Sequence, residues 1–237
     1  MMGQRASVLI RPAPPLGEMG LKRLVAKHGR LLSEQLDIAL DHLDPGELFK
    51  WFLASLLFGA RIRESAAVRT YRAFAAPNLL TPEAIAAANP WDDLPRIMAE
   101  GGYARYDGIT SKKTQEAALK LLAEYDGNLN RLHEAARDPH DLEARLMEFW
   151  GIGAVTAGIF LRELRGLWAK AAPPLGELAR LAADHLGIDE PDAFWRRNAV
   201  SGYDFRHFEA VLTRIGKDYC RRGRCSEAPI PHRRRHR

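Results

Sequence analysis

Cysteine is nearly absent: the 237 residues hold two, Cys220 and Cys225, both near the C-terminus. That excludes a disulfide-stapled fold and fits a reducing compartment. Long apolar runs are missing too. The longest, WFLASLLFGA at 51–60, falls far short of the roughly 20 residues that cross a bilayer. The N-terminal MMGQRASVLIRPAPP has three consecutive strong hydrophobes, too few for a secretory signal. No membrane partner is expected, and the chain reads as cytoplasmic (nucleoid-associated), or nuclear if eukaryotic. Stretches that alternate apolar and polar residues are also lacking, which removes a half-buried sheet, and no internal repeat is found. What remains is ordinary for a globule, with 46% hydrophobic and 27% charged residues.

The net charge of +5 is concentrated at one end. Residues 220–237, CRRGRCSEAPIPHRRRHR, carry seven Arg against one Glu, which leaves residues 1–219 at −1. Such a run attracts phosphate without regard to sequence, or serves as a solvated tail that keeps the chain soluble.

Elsewhere the periodicity is helical, so the fold class is all-α. Residues 1–20, with three prolines, read as a leader. Leu32, Leu36, Ala39, Leu40 and Leu43 share one face of a helix expected over 21–43, closed by Asp44-Pro45-Gly46. Further helices are expected at about 47–60, at Glu64–Phe74, from Thr81-Pro82 with Thr as N-cap, from Asn89-Pro90-Trp91 through Met98, and from Ser111 to a stop at Gly127. Four more cover Asp141–Trp150, Thr156–Trp168, 175–186 and 204–219.

Between two of these lies EFWGIGAVTAGIF, residues 148–160. Glycine admits backbone angles closed to other residues, so Gly151-Ile152-Gly153 makes a tight turn with outward amides. The following helix, from near Ala154, begins with unsatisfied N–H groups at the positive end of its dipole. An anion fits there, and a nucleic-acid phosphate can come close where no side chain intervenes. The alternative is a plain helix–helix turn with Ile152 capping the core.

The helix order, with LFKWFLASLLFGARIRESAAVRTY at 48–71, LTPEAIAAANPWDDLPRIMAEGGYARY at 80–106, KKTQEAALKLLAEYDGNL at 112–129 and LMEFWGIGAVTAGIFL at 146–161, resembles the helix-hairpin-helix DNA glycosylases of the endonuclease III-like branch. The resemblance spans roughly residues 30–225. Its most specific element is Gly151-Ile152-Gly153 with Thr156-Ala157, which looks like the family hairpin. It implies a six-helix barrel over 47–164, with the hairpin at 147–160, and a second lobe from 21–46 and 165–219, followed by the basic tail at 220–237. The family flips a damaged base out of bent duplex DNA and cleaves its glycosidic bond. Double-stranded DNA, damaged or distorted, is the partner implied, with base excision repair as the setting.

Three departures qualify what the resemblance implies. Bifunctional relatives place a lysine nucleophile where this chain has Val155, so Schiff-base lyase chemistry is not expected. Aligning Arg180 with the family's arginine puts Leu175 where active members keep an aspartate that stabilises the sugar cation or activates water. Glu177, two residues on, is the candidate replacement; its other reading is a favourable charge at a helix start, and Asp184 is a weaker alternative. Where many relatives plug the gap left by a flipped base with glutamine, this chain reads Leu57-Phe58-Gly59-Ala60-Arg61-Ile62. Arg61 or Arg63 could take that place, or be surface charges.

GKDYCRRGRCSEAP at 216–229 resembles the start of the family's iron–sulfur loop. Ala228 stands where a third cysteine belongs, so no cluster is expected. Cys220, Cys225, His232 and His236 leave a gap shorter than zinc-finger loops have, so no metal or other cofactor is expected. Arg221, Arg222 and Arg224 are expected on DNA, with Gly151, Ile152, Gly153, Ala154, Thr156 and Arg61. Two functions follow: a monofunctional glycosylase that uses Glu177, or an inactive homologue that recognises damaged, abasic or bent DNA.

Overall fold

A computed structural model of the protein describes residues 18–103, 107–224 and 228. Residues 1–17, Cys225, His232, His236 and the last four arginines lie outside the described residues. Among those described, the chain is all-α, with thirteen α-helices and no strand.

The helices fall into two compact units. One is Leu32–Pro174; the other joins the residues up to Leu31 with those from Leu175 onward. The first boundary falls at Leu31 rather than Gly46, because Glu163 holds the intervening segment. Its buried carboxylate accepts from the amides of Leu32 and Ser33 at 2.8 and 2.9 Å. Those amides open α2 (Leu32–Gln35), and a charge-assisted bond there replaces the missing helical partners. The helix expected over 21–43 is therefore split. Its first part, α1 (Glu18–His28), stops at Gly29, whose amide bonds to Val25 O at 2.7 Å. The carbonyls of His28 and Arg30 accept from the Arg214 guanidinium.

Within Leu32–Pro174 the centre is α3 (Pro45–Gly59), which is apolar nearly all round and buried accordingly. Asp44 caps it by accepting from Gly46 and Glu47. Around it run α4 (Glu64–Ala75), α5 (Pro82–Ala87), α6 (Asp93–Glu100), α7 (Asp107–Tyr125), α8 (Leu129–Ala135), α9 (Pro139–Met147) and α10 (Ala154–Arg162). Phe52 of α3 meets Phe149 and Phe160 edge-on, with centroids 5.4 and 5.8 Å apart. Each such pair contributes about 0.5–1.5 kcal/mol beyond its area. Trp51 donates from Nε1 to Phe160 O at 3.0 Å. These contacts fix both sides of the glycine turn on α3.

The other unit packs α1 and α11 (Glu177–His185) on α13 (Phe205–Asp218), with α12 (Pro191–Asn198) alongside. Phe208 sits between Phe194 and Trp195 at 5.6 and 5.5 Å. A Cβ on Gly216 would stand 1.9 Å from Leu178 O, so glycine is what lets α13 touch α11. A short 3-10 turn, Cys220–Arg222, ends this helix and buries Cys220 among apolar neighbours.

Candidate functional site

The turn after α9 is longer than the sequence pattern suggests. The helix stops at Met147, not Trp150, and α10 runs from Ala154 to Arg162 rather than from Thr156 to Trp168. Phe149 causes the early stop: its ring is buried against Phe52 and Tyr125, and its carbonyl accepts from Ile152 N at 3.0 Å. Gly151 then takes φ +96°, where a side chain would be strained and would meet Lys113 Cδ at 2.9 Å.

Gly153 is different. It caps α10 with φ −103° and ψ −179°, extended backbone that any residue adopts. Its glycine is therefore not a conformational requirement, contrary to what the Gly-Ile-Gly spacing suggests. No atom lies within 4 Å of where its Cβ would be, and no side chain caps the helix. Among the described residues, the amides of Gly151, Gly153, Ala154 and Val155 have no hydrogen-bond partner. These amides belong to exposed residues at and just before the positive end of the helix.

Two residues expected to touch a ligand turn inward instead. Ile152 is buried in the apolar core, and its amide is spent on Phe149. Thr156 is buried against Gly59, where a Cβ would lie 2.1 Å from Thr156 Oγ1. Thr156 therefore serves by holding α10 to the end of α3. Arg61 is exposed on the loop after α3, two residues from Gly59, rather than on a helix.

The charge beside the turn comes from α7, where the sequence pattern suggested no ligand-binding residue. Lys113 lies along Gly151 and places Nζ 5.7 Å from the centroid of Trp150, an indole 42% exposed. Lys120 bonds Glu124 at 2.6 Å and reaches Glu148 at 3.5 Å. The Glu124 bond first, and Glu148 after it, raise the Lys120 pKa. Glu148 is thereby drawn toward a cation of its own, away from the open amides. The missed signal was the Lys112-Lys113 pair at the head of a long helix.

The remaining candidates belong to the other unit. Glu177 is the exposed first residue of α11. Leu175 packs on the apolar core, and its carbonyl accepts from Arg180 at 3.1 Å. Arg221, Arg222 and Arg224 are exposed around Gly223, which takes φ +69°. Among the described residues no group of acidic, His and Cys side chains is arranged to hold a metal. No helix there is long and apolar enough to cross a membrane.

Comparison with protein-family models, curated proteins and solved structures finds no match to this chain.

Proposed function

We propose that this chain is a DNA-binding protein of the helix-hairpin-helix glycosylase kind, whose turn at 148–154 holds one backbone phosphate of double-stranded DNA. The observation that carries the reading is Gly153: a glycine that neither its backbone angles nor its neighbours require, placed over four unpaired amides. A phosphate oxygen accepts from such donors and gains from the helix dipole. Lys113 beside Gly151 supplies charge, and the exposed Arg61, Arg221, Arg222 and Arg224 add affinity without sequence preference. The lesion sought is a damaged, abasic or bent site, and the setting is base excision repair.

Between hydrolysis and recognition alone, the position of Glu177 favours recognition. A carboxylate that stabilises a sugar cation works from a fixed, desolvated position, whereas Glu177 is exposed at a helix start. The other reading, monofunctional base release through Glu177, makes a separate prediction.

Gly153→Asp tests the grip. An aspartate there adopts the existing backbone angles and caps α10 itself, so the fold is kept while the amides are occupied and a negative charge is added. Affinity for a duplex with an abasic site, measured by fluorescence anisotropy, should fall about 10- to 150-fold, the range for losing charge-assisted hydrogen bonds. Unchanged affinity would overturn the hairpin reading. Single-turnover incubation with duplexes carrying uracil, alkylated, oxidised or mismatched bases tests the chemistry. Base release by the wild type that Glu177→Gln abolishes, with binding retained, would establish the glycosylase.

A further inference from the structure

The turn is continuous with a second feature, built on α7 and on the loop before α6. Trp91 is 68% exposed, yet the loop that carries it is firmly held. Asn89 Oδ1 accepts from Trp91 N at 2.9 Å, and Asn89 N donates to Asp93 at 3.1 Å. Gln115 of α7 clamps the residues just before, donating to the carbonyls of Ala86 and Ala88 at 3.0 and 2.6 Å. Lys112 lies over the indole, its Nζ 3.6 Å from the ring centroid, and most of the side chain stays exposed. Helix α7 thus carries Lys112 against Trp91 and Lys113 against Trp150 and Gly151. The indole is thus a large exposed ring on a hydrogen-bonded loop, and pre-organisation of this kind lowers the entropy lost on binding.

Charge says what kind of partner fits. Among the described residues neither Lys112 nor Lys113 pairs with a carboxylate. The acidic neighbours Asp93 and Glu148 are taken up by Arg96 and Lys120 at 3.5 Å each. Asp92 and Glu116 are exposed and form no ion pair with either lysine. Two ammonium groups with no carboxylate partner among the described residues, each beside an exposed indole, match a strand that offers phosphates and the flat face of a base.

We infer that Trp91, Lys112 and Lys113 form a docking strip for an unpaired nucleotide of the DNA strand whose phosphate the hairpin holds. Trp91 stacks the base on its exposed ring while the two lysines meet the flanking phosphates. The inference rests on the hairpin reading and narrows it: the favoured DNA carries a gap or an unpaired base beside the gripped phosphate.

The test compares four proteins, the wild type, Trp91→Ala, Lys112→Gln/Lys113→Gln and Gly153→Asp, on an intact duplex and on the same duplex with a short single-stranded gap. Melting by circular dichroism confirms that each is folded, and affinities are taken at several salt concentrations. Trp91→Ala should weaken gapped-duplex binding about 5- to 150-fold, the span of one base–aromatic stack, and leave intact duplex within about 2-fold. The double lysine variant should lower the salt slope by about 1.4 to 1.8, as two lost phosphate contacts require. If Gly153→Asp loses both DNAs while Trp91→Ala keeps wild-type preference for the gap, the strip is refuted and the hairpin stands. If Gly153→Asp binds both like the wild type while Trp91→Ala loses the gapped DNA, the hairpin reading fails and the strip stands alone. Wild-type binding by all three variants would overturn both.

Discussion

The start of α10, in one unit, contrasts with the start of α13, in the other. Both helices are seated by a glycine at a crossing: Gly59 lets α3 reach Thr156, and Gly216 lets α13 reach Leu178. At its N-terminus α13 is closed. Asp204 accepts from Arg206 N, binds the Arg206 guanidinium at 2.7 Å and lies 2.9 Å from His207 Nδ1, a nitrogen that also stands 3.1 Å from the Asp204 amide. At the N-terminus of α10 there is Gly153 and nothing else. A sequence able to build a complete cap in one place leaves four donors bare in another. The donors of α10 lie on exposed residues, where water meets them until an acceptor displaces it, whereas those of α13 are already taken by its own side chains; an outside anion can therefore compete for one start and not for the other.

The seating glycines should give the largest effects. Gly216→Ala should cost about 3 kcal/mol or more in urea denaturation, because the atom it would strike is the Leu178 carbonyl, which cannot yield without moving α11. Gly59→Ala should cost about 1 to 3 kcal/mol, since the Thr156 hydroxyl can give a little. Equal losses at both would show that the two helices are seated alike and differ only at their starts.

Next comes the closed cap. Asp204→Ala should destabilise by about 2 kcal/mol, part from the cap and part from leaving the buried Arg206 short of its carboxylate. Burial alone would raise the Asp204 pKa, but bonds from His207 and Arg206 outweigh it and hold the carboxyl well below the usual range. A depressed folded pKa gives stability that is present above the unfolded value of about 3.9 and lost as pH falls through the folded one. The gap between wild type and Asp204→Asn should therefore be full at pH 7 and close progressively below about pH 4 in denaturation midpoints.

The open cap should give the smallest change in stability and the opposite sign. Gly153→Asp should raise stability by a few tenths of a kcal/mol to about 1 kcal/mol, from a side-chain cap and a charge favourable to the dipole. A destabilised Gly153→Asp would mean that the start of α10 is not the free site its geometry describes.

Much of this was legible in the chain itself. Thr81-Pro82 starts α5 as its pattern demands, with Thr81 Oγ1 accepting from Ala84 N, and Glu64 opens α4 where periodicity puts it. The bounds of α9 and α10 were less legible, because Phe149 and Trp150 continue an apolar pattern while tertiary contacts of Phe149 end the helix early. The helices α8 and α12 escaped notice, although Asn128 and Pro191 mark their starts; short helices carry too few turns for a clear period. The break after His28 had a local mark, Gly29 behind Lys27 and His28, which the apolar pattern over 21–43 masked; the groups that hold the segment beyond it, Glu163 and Arg214, lie far along the chain. At the candidate site the glycines and the Thr-Ala pair were plain. Lys113 and Trp91 were not, because nothing in one dimension shows which side chains share a surface.

Glu163 gives this architecture a temporal order. Its partners, the amides of Leu32 and Ser33, are 131 and 130 positions away along the chain. Closing so long a loop is slow, and it gains nothing until both ends are formed. The segment at Leu32 should thus dock late, onto an α10 already seated on α3, and then shield its own amides as long as that seat lasts. Hydrogen exchange at Leu32 and Ser33 would consequently act as a remote gauge of α10, slowing whenever a ligand at the far end of that helix holds it in place.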